Sequence, residues 1–353
     1  MIPSDIKNTM TSLDIPDGVV VIEEWVFADF ARLYQINLPG GLQRIDDYAF
    51  ADCCSLVGIS IPDGLQVISH NVFENCTSLE DLYLPNGLSE IGCFAFKGCS
   101  SLQRIRLPND LTKLTHFVFE GCSSLERIDL PGGLKQIGSD AFRGCSRLRS
   151  VDLPDGLEEI GSGVFYDCSR LERMVLPDRL QKIGNEAFRG CTALKELAVP
   201  LSFMGKDENY WRSVGIFDPS IVTCSDPLYN AFINKDLSLS ELTTLLNENK
   251  HSSLSSHDAL IYLKAFFDHK EPENLYACAT LLLANLSDDD KQIFINNVCS
   301  VQAFPVEMRV AFFRLLPGMT ELTEKMIPVD IRDHLVSLDI PGGVICIEEG
   351  AFS

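Results

Sequence analysis

The sequence predicts an α+β protein: a repeat solenoid with a parallel β ladder, then an all-α helical domain and the start of another repeat array. Three observations carry this. Proline recurs at Pro16, Pro39, Pro62, Pro85, Pro108, Pro131, Pro154, Pro177 and Pro200, always 23 residues apart, and a fixed period of this length is the signature of stacked repeats. The period stops at Pro200, and past Ser225 helix-start signals follow. Residues 326–353 then repeat residues 1–28 with 16 identities in 28, which is duplication.

Composition sets the outer limits. A chain of 353 residues, 46% hydrophobic and 22% charged, is globular. Lys and Arg total 29 against 50 for Asp and Glu, a formal charge of -21. Such a surface repels phosphate backbones and anionic membranes, so no nucleic-acid partner is expected. The longest apolar stretch, Ala279 to Ala284, is far short of the ~20 residues that span a bilayer, so no membrane insertion is expected. Met1-Ile2-Pro3-Ser4-Asp5 has neither the basic start nor the apolar run of a secretory signal. Thirteen cysteines is an odd number, so at least one stays unpaired, and the number alone identifies no compartment.

Each element of the repeat has a physical reason. Phenylalanine keeps the 23-residue step from Phe27 through Phe50, Phe73, Phe96, Phe119, Phe142 and Phe165 to Phe188. Cysteine keeps it from Cys53 through Cys76, Cys99, Cys122, Cys145 and Cys168 to Cys191, with Phe30 in that slot of the first copy. Pro16 to Val199 spans 184 residues, eight units of 23. In one unit, Leu125-Glu126-Arg127-Ile128-Asp129-Leu130-Pro131 reads as a short strand with one buried face. Pro131 ends it because proline cannot donate to a ladder. Gly132-Gly133 turns the chain, Leu134 and Ile137 supply a second buried edge, and Ala141, Phe142 and Cys145 fill the interior from the far side. One unit cannot bury its apolar face alone, but copies stacked at ~4.8 Å share one core, and eight give a solenoid ~40 Å long.

The pattern L-x-x-I-x-L-P-x-G-L-x-x-I-G-x-x-A-F-x-G-C-S-x resembles the BspA-type leucine-rich repeat family over roughly residues 10 to 200. The resemblance implies a curved right-handed leucine-rich-repeat solenoid used for protein recognition, often on microbial surface proteins that adhere to host molecules. It implies no enzymatic residues, and a cell-surface or secreted location. Secreted members carry a signal peptide, which this chain lacks as written, so a cytoplasmic location is the other expectation.

The domains expected are a solenoid with its cap over residues 1–225, a helical domain over 226–325 and a partial leucine-rich repeat over 326–353. Residues Pro200 to Ser225 lose the period and gain Tyr210, Trp211, Phe217 and Ile221-Val222-Thr223, which fits a cap on an open solenoid end. Ser225-Asp226-Pro227 starts a helix, and similar signals recur at Ser240, Ser256, Glu271, Ser287 and Pro305. Leu260, Leu263, Phe266 and Phe267, then Leu275, Ala279, Leu282 and Leu283, have helical spacing, so five or six helices are expected. Ser353 falls just past the repeat phenylalanine Phe352. This favours a piece of a longer tandem protein over a terminal cap.

The candidate chemistry is sparse. The ladder cysteines read as small buried hydrophobes with inert thiols, and the lone adjacent pair Cys53-Cys54 lacks zinc spacing. His70, His116, His251, His257, His269 and His334 form no metal motif and receive no role. Gly161-Ser162-Gly163 lies at a repeat turn, and neither G-x-S-x-G nor a phosphate-binding loop occurs. No catalytic residue, metal, cofactor or small-molecule substrate is expected. One alternative is a cysteine-dependent ubiquitin ligase effector, because Cys224-Ser225-Asp226 is similar to the C-x-D nucleophile of bacterial leucine-rich-repeat ligases, and a helix N-terminus would lower the pKa of Cys224.

The preferred reading is a non-enzymatic protein-binding module whose partner docks on the exposed concave sheet. One outward column reads Gln35, Gly58, Asp81, Arg104, Arg127, Ser150, Arg173, Glu196; the other reads Asn37, Ser60, Tyr83, Arg106, Asp129, Asp152, Val175, Ala198. Tyr83, Arg104, Arg106 and Arg127 are the candidate protein-binding residues, since Arg and Tyr are favoured at hot spots. The competing reading is an exposed Arg106–Asp129 pair of little energetic consequence.

Overall fold

A computed structural model describes residues 4–233, 239–248, 254–269, 275–300, 321–322 and 346–347. The chain forms two compact units, Met1–Ser225 and Asp226–Ser353. The first is a parallel β-solenoid of the expected kind. Every strand pair within the 23-residue repeat joins residue i to residue i+23, as in Leu13 with Ile36 and Ile160 with Ile183.

Three backbone seams run along this solenoid. The front seam holds the strands Ser12–Asp14, Gln35–Asn37, Gly58–Ile59, Asp81–Tyr83, Arg104–Arg106, Arg173–Val175 and Glu196–Val199. The second holds two-residue strands from Val21–Ile22 to Lys182–Ile183, one per coil. In the third, each core phenylalanine donates its N–H to a carbonyl of the next coil, as in Phe50 to Val72 at 2.9 Å and Phe119 to Ala141 at 2.9 Å. This third seam has no regular strand, so periodicity alone did not show it.

The interior follows directly from the period. The eight phenylalanines from Phe27 to Phe188 form one continuous stack, with Phe119 lying 5.5 Å from Phe96 and 5.6 Å from Phe142. Beside it runs the cysteine ladder. Cys53, Cys76, Cys99, Cys122, Cys145 and Cys168 are fully buried free thiols, and Cys191 at the end is half-buried. Each of the seven donates its S–H to the carbonyl of the phenylalanine 26 residues earlier, as in Cys122 to Phe96 at 3.2 Å and Cys145 to Phe119 at 3.3 Å. From Phe50 onward that carbonyl already accepts the N–H of its own coil's cysteine, as Phe119 does from Cys122 at 3.1 Å. The thiol therefore occupies a second lone pair that an alanine or valine would leave unused.

The turns between seams require left-handed backbone at two fixed slots. One holds Asp29, Asp52, Asn75, Gly98, Gly121, Gly144, Asp167 and Gly190, all with positive φ. Glycine, aspartate and asparagine tolerate this region best, which explains the composition of the slot. The other slot includes Trp25, Tyr48, Phe94 and Phe117, where aromatic stacking accompanies the unfavourable backbone: Trp25 lies on Tyr48 at 4.0 Å and Phe94 on Phe117 at 4.6 Å.

Both ends of the stack are closed by short helices. Helix Ser4–Thr9, which the repeat pattern did not reveal, places Lys7 Nζ 5.7 Å from the centre of the Phe30 ring. At the other end Phe188 donates to the carbonyl of Val214 just past helix Glu208–Ser213, and the strand Val222–Cys224 pairs with Leu197–Val199. The cap buries Trp211 as expected, but Phe217 is 61% exposed. It follows the buried run that ends at Ile216 and points away from the core.

In the second unit, Asp226 caps helix Pro227–Ile233 by accepting from the N–H groups of Leu228 and Tyr229. Among the described residues, the remaining helices are Leu239–Glu248, Ser256–His269, Leu275–Ala284 and Asp288–Ser300. Leu263, Phe266, Ala279 and Leu282 are buried, as helical spacing requires. Ser255, one residue before the expected start, caps the third of these five helices. Glu321–Leu322 pairs in parallel with Cys346–Ile347. Most of the partial repeat expected at 326–353, and a helix starting at Pro305, lie outside the described residues.

Two measurements check this core. Phe119→Ala should cost ~3–5 kcal/mol through lost burial and cavity formation; an unchanged denaturation midpoint and slope would refute the register. Burial also pushes the ladder thiols up, those of Cys53 and Cys191 to about 12. The folded state thus keeps its thiols protonated where the unfolded chain ionises them. Stability should be unaffected by these groups below pH ~8.5 and fall above it, by ~1.4 kcal/mol per pH unit for each thiol. Chemical denaturation at pH 7.5 and 10 reads this, and Cys122→Ala should lower the slope by one thiol's share, ~1.4 kcal/mol per pH unit.

Candidate protein-binding face

The front seam presents two outward columns to solvent. Alternation along each short strand buries the central residue, such as Leu82, Ile105 and Met174, and exposes its two neighbours. The columns read from the sequence are therefore exposed along most of their length. Ala198 is the exception, being only 8% exposed. Its strand Glu196–Val199 is flanked on its outer side by Val222–Cys224 of the cap, which covers the end of the column.

Tyr83, Arg104, Arg106 and Arg127 come together. Asp81–Tyr83 pairs with Arg104–Arg106, putting Tyr83 directly beside Arg106. All four residues line one open depression of about 750 Å³, together with Asn109 and Asp129. Tyr83 is 70% exposed. The Arg106–Asp129 ion pair of the competing reading does not form: these residues meet through a backbone bridge. Among the described residues, Arg104 and Arg106 take part in no ion pair, and Arg127 approaches Asp152 at 3.9 Å with both side chains well exposed.

The ladder thins beside this depression. Leu125–Pro131 was expected to be a strand, yet only isolated bridges join Arg106 to Asp129 and Asp129 to Asp152. The columns supply a reason. They set Arg104 beside Arg127 and Asp129 beside Asp152, and like charges directly opposite one another weaken strand pairing. Beginning at the next coil, a second depression of about 290 Å³ is lined by Asp152, Asp155, Arg173 and Val175. Arg173 there is neutralised by Glu196 at 2.8 Å.

The other candidate chemistry is structural. Cys224 is 6% exposed and ends the strand Val222–Cys224, three residues before helix Pro227–Ile233; this burial gives the ligase alternative no support. His70 and His116 have a role that sequence reasoning missed. Each Nδ1 accepts a backbone N–H from the next coil, His70 from Cys93 at 2.8 Å and His116 from Ser139 at 2.9 Å. Their separation of 46 residues, two full periods, was the available signal. Among the described residues no group of three or more His, Cys, Asp or Glu could hold a metal ion, and no helix is long and apolar enough to cross a membrane.

These features define a leucine-rich-repeat solenoid with an exposed front sheet. The chain belongs to the BspA type leucine-rich repeat family, which matches residues 6–126 and 112–210 with 6 copies of its repeat. Similar solved structures include a leucine-rich repeat protein of T. pallidum, 39% identical over 40% of this chain and 65% of that one, with a TM-score of 0.38. Another, from Bacteroides ovatus, is 25% identical over 55% of this chain and 66% of that one, with a TM-score of 0.42. The pneumococcal vaccine antigen PcpA is 25% identical over 51% of this chain and 54% of that one, with a TM-score of 0.38. The chain thus spans less than two thirds of each of these proteins. No curated protein matches it significantly.

If the like-charge columns oppose folding, relieving one should help it. Asp129→Thr removes the charge facing Asp152 and installs a strand-favouring side chain, so stability should rise by up to ~1 kcal/mol. A clear loss in thermal denaturation would show that Asp129 stabilises the ladder.

Proposed function

We propose that the solenoid is a non-enzymatic recognition module of a microbial adhesion or host-interaction protein, and that its partner is a protein docking on the front face around Tyr83, Arg104, Arg106 and Arg127. Leucine-rich repeat proteins commonly bind other proteins, and membership of the family supports that general role. One local observation carries the choice of site. In a protein of charge -21, three arginines gather around one depression beside an exposed tyrosine, two of them without an ion-pair partner among the described residues. An acidic or tyrosine-rich surface complements it. Such complementarity acts mainly on association rate, so binding should weaken as salt shortens the ~8 Å Debye length.

The test compares the wild type with the double variant Arg104→Glu and Arg127→Glu. Proteins retained from host cell-surface extracts by the wild-type chain should bind the variant at least tenfold more weakly and be released by salt. Stability should stay within ~0.5 kcal/mol, as is usual for exposed positions. A partner that binds both forms equally would exclude this face as its site.

A further inference from the structure

The front face has a second half that the arginine cluster does not explain. Moving along the array, the cationic coils of Arg104, Arg106 and Arg127 give way to carboxylates, beginning with Asp129 in the coil of Arg127 and continuing with Asp152 and Asp155, while Arg173 beside them is paired with Glu196 at 2.8 Å. The face also carries two exposed large apolar side chains, Tyr83 at 70% and Val175 at 60%. They occupy the same outward column, four coils apart. At ~4.8 Å per coil this separation is ~19 Å, the length of about six residues of extended polypeptide. Each of the two depressions therefore has one highly exposed large apolar side chain and one predominant charge.

We infer that the front face binds an extended peptide segment lying along the array, across its strands. Its two apolar side chains rest on Tyr83 and Val175. Between them, acidic side chains face Arg104 and Arg106, and a basic side chain faces Asp129, Asp152 and Asp155. This rests on the reading that the front face is the binding surface and specifies what it takes. A uniformly anionic chain, such as a sulfated polysaccharide, fits worse, because three carboxylates and the overall charge of -21 oppose it. A mixed peptide also accounts for the like-charge neighbours: Arg104 beside Arg127 and Asp129 beside Asp152 weaken the ladder in the free protein and would be neutralised by a ligand carrying the opposite order of charge.

The experiment uses the full 353-residue chain and fluorescence anisotropy with three probes. These are a pool of six-residue peptides with apolar ends, two acidic residues and one basic residue; the same pool with the basic residue replaced by glutamate; and a sulfated oligosaccharide. The mixed pool should bind at least tenfold more tightly than the other two. The double variant Asp152→Lys and Asp155→Lys should reverse the preference between the peptide pools, a charge-swap rescue that general misfolding cannot produce. Equal binding of the two pools, tighter binding of the oligosaccharide, or no reversal in the variant would each overturn the inference. If no peptide binds while Arg104→Glu with Arg127→Glu still weakens a captured partner, the extended-peptide inference fails and the docking face stands. If that double variant also has no effect, the docking face fails with it.

Discussion

The hydrogen bond from each buried thiol to the phenylalanine carbonyl of the previous coil fixes much of the rest. It ties together three positions of the repeat, because the accepting carbonyl also receives its own coil's cysteine N–H. A coil of a different length would separate the S–H from its acceptor and the phenylalanine from its stack at once. The carbonyl would keep its N–H partner and the S–H is a weak donor, so the larger penalty is the unfilled core site left by a displaced phenylalanine. Small errors of register are thus penalised along the whole array. This constraint confines sequence variation to the outward slots, where each coil contributes a different side chain to a regular grid about one strand spacing apart.

The front face exploits that freedom. Its backbone positions are set by residues such as Ile105 and Met174 beneath the sheet, while Arg104, Arg127, Asp129 and Asp152 have no core role. Named strands are absent at Arg127–Asp129 and Ser150–Asp152, where the columns set like charges in adjacent coils, an arrangement that disfavours strand pairing. The interior tolerates the loss because the second and third seams continue through the same coils, as in Gln136–Ile137 pairing with Glu159–Ile160 and Phe142 donating to Val164. Binding chemistry and folding are thereby separated on two sides of the coil.

Much of the solenoid was legible because burial at one slot repeats at every coil: a single period in Phe, Cys and Pro fixed the core, the two strands and the outward columns. Features that depend on ends or on local bonding were not. Helix Ser4–Thr9 has no counterpart in the repeat, and the burial of Ala198 depends on a cap strand that lies outside the period. Phe217 was read as a cap aromatic from its composition, but its exposure depends on where the chain leaves the core after Ile216. The roles of His70 and His116 were hidden because scattered histidines suggest nothing until they are placed in one slot. The arginine cluster was legible as a column, whereas the absence of an Arg106–Asp129 pair depended on side-chain direction.

Hydrogen exchange under native conditions, read at single-amide resolution, tests the division between a locked interior and a thinned front most directly. The amides of Phe73, Phe96, Phe119 and Phe142, which bridge successive coils in the third seam, should be the slowest and should exchange together as one cooperative unit. The amides of Arg127 to Asp129 and Ser150 to Asp152 should exchange well before them. Front amides as slow as those of the phenylalanines, or phenylalanine amides as fast as the loop around Phe217, would contradict it.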